Sequence, residues 1–183
     1  GQYVSIPVRQ PLGLLVADGY AAIGDSAFMT VPIIGSGIAN SLKAARLLAD
    51  AVIADKDELF SADTLWKYQR DFYKKLGAGL APIAIIKLMV ARFSPKDLDY
   101  FFDNEILNSN DMTIGADTNS IMCFIEKLMN FNSLKLKVKG VMSDFVLSKK
   151  VLGMNTRIAA VMAITKAMPV RYDRTRVLSW VEG

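Results

Sequence analysis

The stretch AAIGDSAFMTVPIIGSGIANSLKAARLLADAVIAD, residues 21–55, decides the fold of this chain. It opens with a short apolar run that stops at Gly24-Asp25, continues as a loop of about ten residues, and ends as an alanine-rich segment. The loop contains Pro32, Gly35 and Gly37. From Ile38 onward apolar residues recur every three or four positions, which predicts a helix to about residue 55. Its expected buried face is Ile38, Leu42, Ala45, Ala49 and Val52.

The junction between this loop and the helix predicts a binding site. Ser36 is the expected cap of the helix, and the glycines leave the first backbone amides without side-chain cover. Unpaired N–H groups and the positive end of a helix dipole attract negative charge. The site is therefore expected to face an anion or an electron-rich ring.

The order of residues in this stretch resembles a known motif. Gly24-Asp25-Ser26-Ala27, followed by Pro32-x-x-Gly35-x-Gly37-Ile38, resembles the second flavin-binding motif of FAD-dependent oxidoreductases. The branch it resembles is the geranylgeranyl-reductase-like branch of the aromatic-hydroxylase superfamily. The resemblance implies that the aspartate binds the ribityl chain of FAD, and that the helix N-terminus faces the N1/C2 edge of the isoalloxazine ring. The cofactor-binding residues it implies are Gly24, Asp25, Pro32, Gly35, Ser36, Gly37 and Ile38.

Two other interpretations of the same stretch stay open. The run G-S-G-I-A-N is similar to a degraded dinucleotide fingerprint, with Val31–Ile34 as its strand and Asp55 as the distant acid. Asn40 occupies the position where that fingerprint has Gly or Ala, and Pro32 interrupts the strand. The remaining alternative is an ordinary strand–loop–helix unit without a ligand.

Composition excludes several function classes. The 183 residues are 52% apolar with mean hydropathy +0.27, and a formal net charge of +4 is too mild to indicate a nucleic-acid partner. The absence of histidine excludes His-based triads and His metal sites, and no metal site is expected. A single cysteine, Cys123, excludes an internal disulfide and fits a reducing compartment. We expect a cytoplasmic protein, and a peripheral position at a membrane surface stays open.

The pattern along the chain predicts a mainly α fold with a small N-terminal β part. Residues 2–8 are predicted as a strand, and Asp18-Gly19 as a hairpin turn. The expected domains are a C-terminal piece of an FAD-binding domain, residues 1–58, and a helical domain, residues 59–183. The chain would then be the C-terminal fragment of an α/β FAD-binding protein plus its helical domain.

Helices are predicted through most of the second part. A helix over 63–76, capped by Ser61 or Asp63, should bury Leu65, Tyr68, Phe72 and Leu76. The strongly apolar run over 80–93 is too short to span a membrane. We expect it to form a core helix, and the alternatives are the wall of an apolar substrate tunnel or a surface that contacts a bilayer. Further helices are predicted over 94–106, 118–131, 133–150, 155–168 and 173–181.

The resemblance also implies a function for the parent protein. Such an enzyme transfers hydride through flavin to or from a hydrophobic, often isoprenoid, small molecule or lipid. The sequence contains no G-x-G-x-x-G pyrophosphate motif, so the remaining N-terminal half of the FAD domain is an expected partner and the chain alone is expected to be inactive. No catalytic residue can be named. The alternative function is a non-catalytic helical module that binds a partner protein or a membrane through its lysine-rich segment, 135–150.

An apolar surface is expected to stay uncovered in this chain. An exposed large apolar side chain forgoes roughly 1.5–3 kcal/mol of burial free energy, which favours association with another copy. We therefore expect a homo-oligomer joined through the N-terminal β part or the 80–93 helix.

Overall fold

The computed structural model describes residue 3, residues 5–103 and residues 145–182. Two compact units divide the chain: Gly1–Ala84 with Val161–Gly183, and Ile85–Ala160. The predicted helix over 118–131, Cys123 within it, and the lysine-rich segment up to residue 144 lie outside the described residues. The predicted division at residue 58 stays a prediction.

The described part is mainly α-helical, as predicted, with a single small sheet at the N-terminal end. We number its helices α1 Ile38–Ala54, α2 Ala62–Phe72, α3 Ala78–Val90, α4 Pro95–Asp103, α5 Phe145–Lys166 and α6 Arg174–Glu182. A five-residue π-helical segment, Tyr73–Gly77, joins α2 to α3 without a break. The predicted helices over 63–76, 94–106 and 173–181 are therefore confirmed within the described residues, with shifted ends. The helix predicted over 155–168 begins at Phe145, so the break predicted between it and the helix over 133–150 is wrong.

The β part is a two-stranded hairpin. Strand β1, Val16–Ala17, pairs antiparallel with β2, Tyr20–Ala21. Gly19 has a φ of +68°, a left-handed conformation that favours glycine. The predicted hairpin turn is confirmed, but the strand predicted over 2–8 is wrong, because residues 5–8 have no regular structure. Pro7 has no N–H to donate to a ladder, which disfavours a strand there.

The first unit is built around the buried face of α2. Leu65, Tyr68, Phe72 and Leu76 are all buried, which confirms the predicted stripe. The hydroxyl of Tyr68 donates to the carbonyl of Ala22 at 2.8 Å, so the helix is also tied to the chain that follows β2. Burial raises the pKa of the Tyr68 phenol well above its usual range. This tyrosine therefore stays neutral and acts as a hydrogen-bond donor in the core.

A buried glutamine on α2 fixes the segment before the hairpin. Gln69 is completely buried. Its Oε1 accepts from the backbone N–H of Leu15 at 2.8 Å, and its Nε2 donates to the carbonyl of Gly13 at 2.8 Å. One side chain thus satisfies two backbone groups that have no strand partner. The contact explains how a three-residue stretch of irregular chain can lie against the core.

The face that α1 buries is not the predicted one. Its buried residues are Asn40, Ala44, Leu47 and Ala51. The predicted face is exposed instead: Ile38 is 80% exposed and Leu42 is 67% exposed. Apolar residues lie on both sides of this helix, and the small side chains of Ala44 and Ala51 form the side that enters the core. Large apolar side chains therefore remain on its outer surface.

The second unit is held by polar contacts as well as apolar ones. Ser94 and Asp97 cap α4 reciprocally: the Asp97 N–H donates to Ser94 Oγ at 3.2 Å and the Ser94 N–H donates to Asp97 Oδ2 at 2.8 Å. Lys150 on α5 pairs with the same carboxylate. A hydrogen bond from Lys150 lowers the pKa of the Asp97 carboxyl below its ordinary value.

The strongly apolar run over 80–93 forms most of helix α3, whose side chains are mostly buried. On α3, Leu80, Ile83, Ile86 and Met89 are buried, and Leu88 is 55% exposed. Most of its apolar side chains are therefore core residues, as expected. Of the helices that the structure describes, none combines the length and apolar character needed to cross a membrane.

Candidate functional site

The site begins at a tight turn directly after β2. Residues Gly24–Ala27 form a 3-10 turn that Gly24 enters with a φ of +68°. Asp25 lies at the start of the turn with its side chain exposed. Its Oδ1 accepts from the hydroxyl of Thr30 at 3.1 Å, and Thr30 is itself buried. The carboxylate is therefore held by a neighbour that cannot easily move.

The glycine loop is a compact turn that closes on itself. The Val31 N–H donates to the carbonyl of Ser36 at 2.9 Å, and the Gly35 N–H donates to the carbonyl of Val31 at 2.9 Å. Gly35 has a φ of +71° and completes the turn in a conformation that other residues rarely adopt. Pro32 is buried within this turn, and the side chain of Ser36 is exposed.

The cap of α1 is Gly37, and the expected role of Ser36 as the cap is wrong. No side chain makes a cap hydrogen bond at this end of the helix. The first backbone N–H groups of a helix have no acceptor inside it, so they remain available to a ligand. The helix start is anchored instead by Asn40, whose Nδ2 donates to the carbonyl of Met29 at 3.0 Å.

These elements meet around one open cleft of about 670 Å³. Five of the seven predicted cofactor-binding residues line it, namely Gly24, Asp25, Gly35, Gly37 and Ile38. The other two, Pro32 and Ser36, do not belong to its lining. The remaining walls are Ile6, Ile23, Ser41, Leu42 and Ala45. The exposed face of α1 is thus one wall of this cleft.

The two loop glycines have different steric reasons to be glycine. A Cβ on Gly37 would lie 3.1 Å from Thr30 Oγ1 and 3.5 Å from Asp25 Oδ1, so a side chain there would push against the pair that holds the carboxylate. A Cβ on Gly35 would meet no atom within 4 Å, and its constraint is the positive φ alone. Gly35 therefore preserves the turn, and Gly37 keeps the backbone close to Asp25.

The arrangement suits a flat, amphipathic and electron-rich group. Asp25 offers a hydrogen-bond acceptor, α1 offers N–H donors with the positive end of its dipole, and isoleucine and leucine side chains line the walls. Anions and polarised carbonyls are stabilised in front of such a helix end. Within the residues that the structure describes, no cluster of His, Cys, Asp or Glu could hold a metal.

The dinucleotide interpretation does not match the structure. The segment Val31–Ile34, its expected strand, is the turn described above. Asp55, its expected ribose ligand, is buried and accepts from the N–H of Phe60 at 2.7 Å. That carboxylate is occupied with closing the connection between α1 and α2.

Four residues that support the site had not been predicted in that role. The Arg9 guanidinium lies 4.7 Å from the ring centroid of Phe28. Phe28 has a φ of +54°, an uncommon conformation for a side chain of this size. Thr30 and Asn40 hold Asp25 and α1 through their side chains. The only feature of the sequence that could have indicated Thr30 and Asn40 is that each is a polar residue with apolar neighbours.

The structure has a helical unit with a cleft at a strand–loop–helix junction, and known proteins contain similar sequence. No protein-family model matches the chain. Over 108 residues it is 28% identical to the digeranylgeranylglycerophospholipid reductase of Sulfolobus acidocaldarius, covering 58% of this chain and 24% of that protein. Over 98 residues it is 33% identical to the reductase of the same name from Methanothrix thermoacetophila, covering 51% and 24%. The match thus spans about a quarter of the length of these curated relatives.

Proposed function

We propose that this chain forms the ring-facing part of an FAD site in a reductase that acts on an isoprenoid lipid. The observation that supports the proposal is the meeting of Asp25, the Gly35–Gly37 loop and the uncapped start of α1 in one cleft. The names of its two relatives, which specify a digeranylgeranyl glycerophospholipid, support the choice of reduction and of an isoprenoid substrate. FAD supplies hydride-transfer chemistry when it is bound.

The residues of the cleft fit a flavin. Asp25 would accept a hydrogen bond from a hydroxyl of the ribityl chain, with Thr30 keeping the carboxylate in place. The N–H groups at the start of α1 would face the electron-rich edge of the ring, where a dipole contributes roughly 0.3–1 kcal/mol toward negative charge. Ile23, Ile38 and Leu42 would cover the apolar surface of the ring and exclude water.

The pyrophosphate and adenosine of FAD require a second binding region. The chain contains no G-x-G-x-x-G motif, and we propose that the half of the FAD domain with that motif is its partner. The isolated chain is then expected to bind the ring portion weakly and to reduce no lipid. Riboflavin, which has the ring and a ribityl chain but no phosphate, is therefore the suitable probe.

Quenching of riboflavin fluorescence tests this proposal on the 183-residue chain. We expect saturable binding that Gly37→Val weakens at least tenfold, because its side chain would displace Thr30 from Asp25. Asp25→Ala should weaken binding several-fold without loss of fold, since the side chain is exposed. Gly153→Val in α5 is the matched control, because a Cβ there meets no atom within 4 Å.

The outcomes separate ligand loss from misfolding. Circular dichroism should show native helix content in all three variants. Equal affinity of wild type and both site variants, with fold intact, would show that riboflavin does not use this cleft and would refute the proposal. An equal loss in the Gly153→Val control would point to the same conclusion.

A further inference from the structure

A second cleft, remote in sequence from the first, lies between the end of α5 and helix α6. It encloses about 1010 Å³ and is lined by residues from Ala167 to Trp180. It shares no lining residue with the cleft around Asp25. Two arginines, Arg171 and Arg176, line it, and neither belongs to the cleft proposed for flavin.

The backbone of this cleft is fixed by three hydrogen bonds from neighbouring side chains. Trp66 Nε1 donates to the carbonyl of Pro169 at 2.9 Å, and Arg70 Nη1 donates to the carbonyl of Val170 at 2.8 Å. Trp180 Nε1 donates to the carbonyl of Ile164 at 2.6 Å. The backbone that forms the cleft is therefore held in a fixed position in the first unit.

The charged side chains that line the cleft are two arginines and one aspartate, so its net charge is positive. Arg171 and Arg176 line it, and in the described part of the chain neither guanidinium makes an ion pair. Asp173 also lines it and offsets one of these charges, and its Oδ1 accepts from the N–H of Arg176 at 2.9 Å as the cap of α6. Between residues 166 and 182 the chain has four basic and two acidic residues. Two free guanidinium groups in one cleft suit a phosphate.

Apolar side chains accompany these charges. Val170, in the cleft wall, is 71% exposed, and Leu178 and Val181 on α6 are also exposed. A surface that combines arginine with exposed aliphatic residues fits an anionic lipid headgroup beside the start of its acyl or prenyl chains. A free phosphate would gain nothing from the apolar part.

We propose that this cleft binds the phosphate headgroup of an anionic lipid at a membrane surface. The choice of a lipid rests on the proposed function, because a glycerophospholipid substrate resides in a bilayer. The cleft would hold the protein at the interface by binding a lipid of the bilayer. Arg171 and Arg176 bind the phosphate, and Val170 contacts the apolar region below it.

Vesicle co-sedimentation tests the proposal with the 183-residue chain. We expect binding to vesicles of phosphatidylcholine with about one third phosphatidylglycerol, and little binding to phosphatidylcholine alone. One basic residue near an anionic surface contributes about fivefold in affinity. R171Q/R176Q should therefore weaken binding by more than about twenty-five-fold, because the two guanidinium groups that it removes also donate hydrogen bonds to the phosphate, which Lys166 and Arg174 do not.

The matched control is K166Q/R174Q, which removes the same charge from the same segment but changes no lining residue. It should retain at least five times the affinity of R171Q/R176Q. Equal losses in both double variants would show a diffuse basic patch and overturn the cleft assignment. All four positions are exposed, so unfolding midpoints should match wild type.

A calorimetric comparison separates a lipid from free phosphate. Dihexanoylphosphatidylglycerol below its micelle concentration should bind at least tenfold more tightly than inorganic phosphate. Equal affinities would overturn the lipid assignment in favour of a phosphate site. Riboflavin binding by R171Q/R176Q is expected to equal that of wild type. If the vesicle and calorimetric experiments fail, the flavin proposal is unaffected. If riboflavin does not bind the cleft around Asp25, the lipid experiments still test the cleft at Arg171 and Arg176.

Discussion

The replacement Gln69→Leu tests how the first unit is held together. Leucine has a similar volume, so the change creates little cavity, but it removes both hydrogen bonds of the side chain. The N–H of Leu15 is then buried without a partner, and the carbonyl of Gly13 is partly buried without one. An unsatisfied buried backbone group costs about 1–3 kcal/mol, so we expect a loss of about 2–4 kcal/mol.

Thermal unfolding followed by circular dichroism measures this loss. At about 2–4 °C per kcal/mol for a chain of this size, the melting temperature should fall by roughly 4–16 °C. Gln10→Leu is the control, because Gln10 is exposed and such changes stay within about 0.5 kcal/mol. If Gln69→Leu proved as stable as Gln10→Leu, the buried glutamine would not be the bridge described.

Two further predictions concern the second unit and the outer face of α1. Because Lys150 lowers the pKa of Asp97, their pair stabilises the fold above the ordinary carboxyl pKa and loses that contribution as pH falls through the lowered value. Lys150→Met should therefore be less stable than wild type at pH 7, with a difference that narrows in acid melts. Light scattering at micromolar concentration should show a homodimer or larger assembly, since Ile53 on α1 is 78% exposed and Tyr20 in the N-terminal hairpin is 58% exposed; a clean 20 kDa monomer would contradict this.

The segments with a strong period or a capping signal could be predicted from sequence. Helix α1 begins at Ile38 as expected because a glycine loop ends there, and α4 begins at Pro95 because serine caps a helix and proline suits its first position. The stripe of α2 was also predictable, since its large apolar residues lie on one side only. Local chemistry was sufficient in each case.

Features that depend on distant partners could not be predicted. The buried face of α1 was misassigned because the larger side chains, Ile38 and Leu42, line a cleft while alanines enter the core. The role of Gln69 depends on chain more than fifty residues away. The π-helical segment Tyr73–Gly77 has no signature in the local sequence. Its glycine is required by packing, because a Cβ on Gly77 would lie 2.8 Å from the Tyr73 ring.

At the site, sequence located the cleft residues but not their supports. Five of the residues named from the motif line one cleft, which agrees with the expected loop. Thr30 and Asn40, which hold that loop, were hidden in an apolar run and at the start of a helix. The cleft at Arg171 and Arg176 results from the packing of α6 against the α5–α6 connection, which sequence alone does not show.

The most direct test of the flavin site is an amide map of riboflavin binding by nuclear magnetic resonance. Titration of the 183-residue chain with oxidised and with photoreduced riboflavin should shift the amides of Gly24, Asp25 and residues 35–39. The reduced form should bind about two- to fivefold more tightly, as expected for a helix N-terminus that stabilises negative charge. Shifts confined to other surfaces, or tighter binding of the oxidised form, would contradict the account.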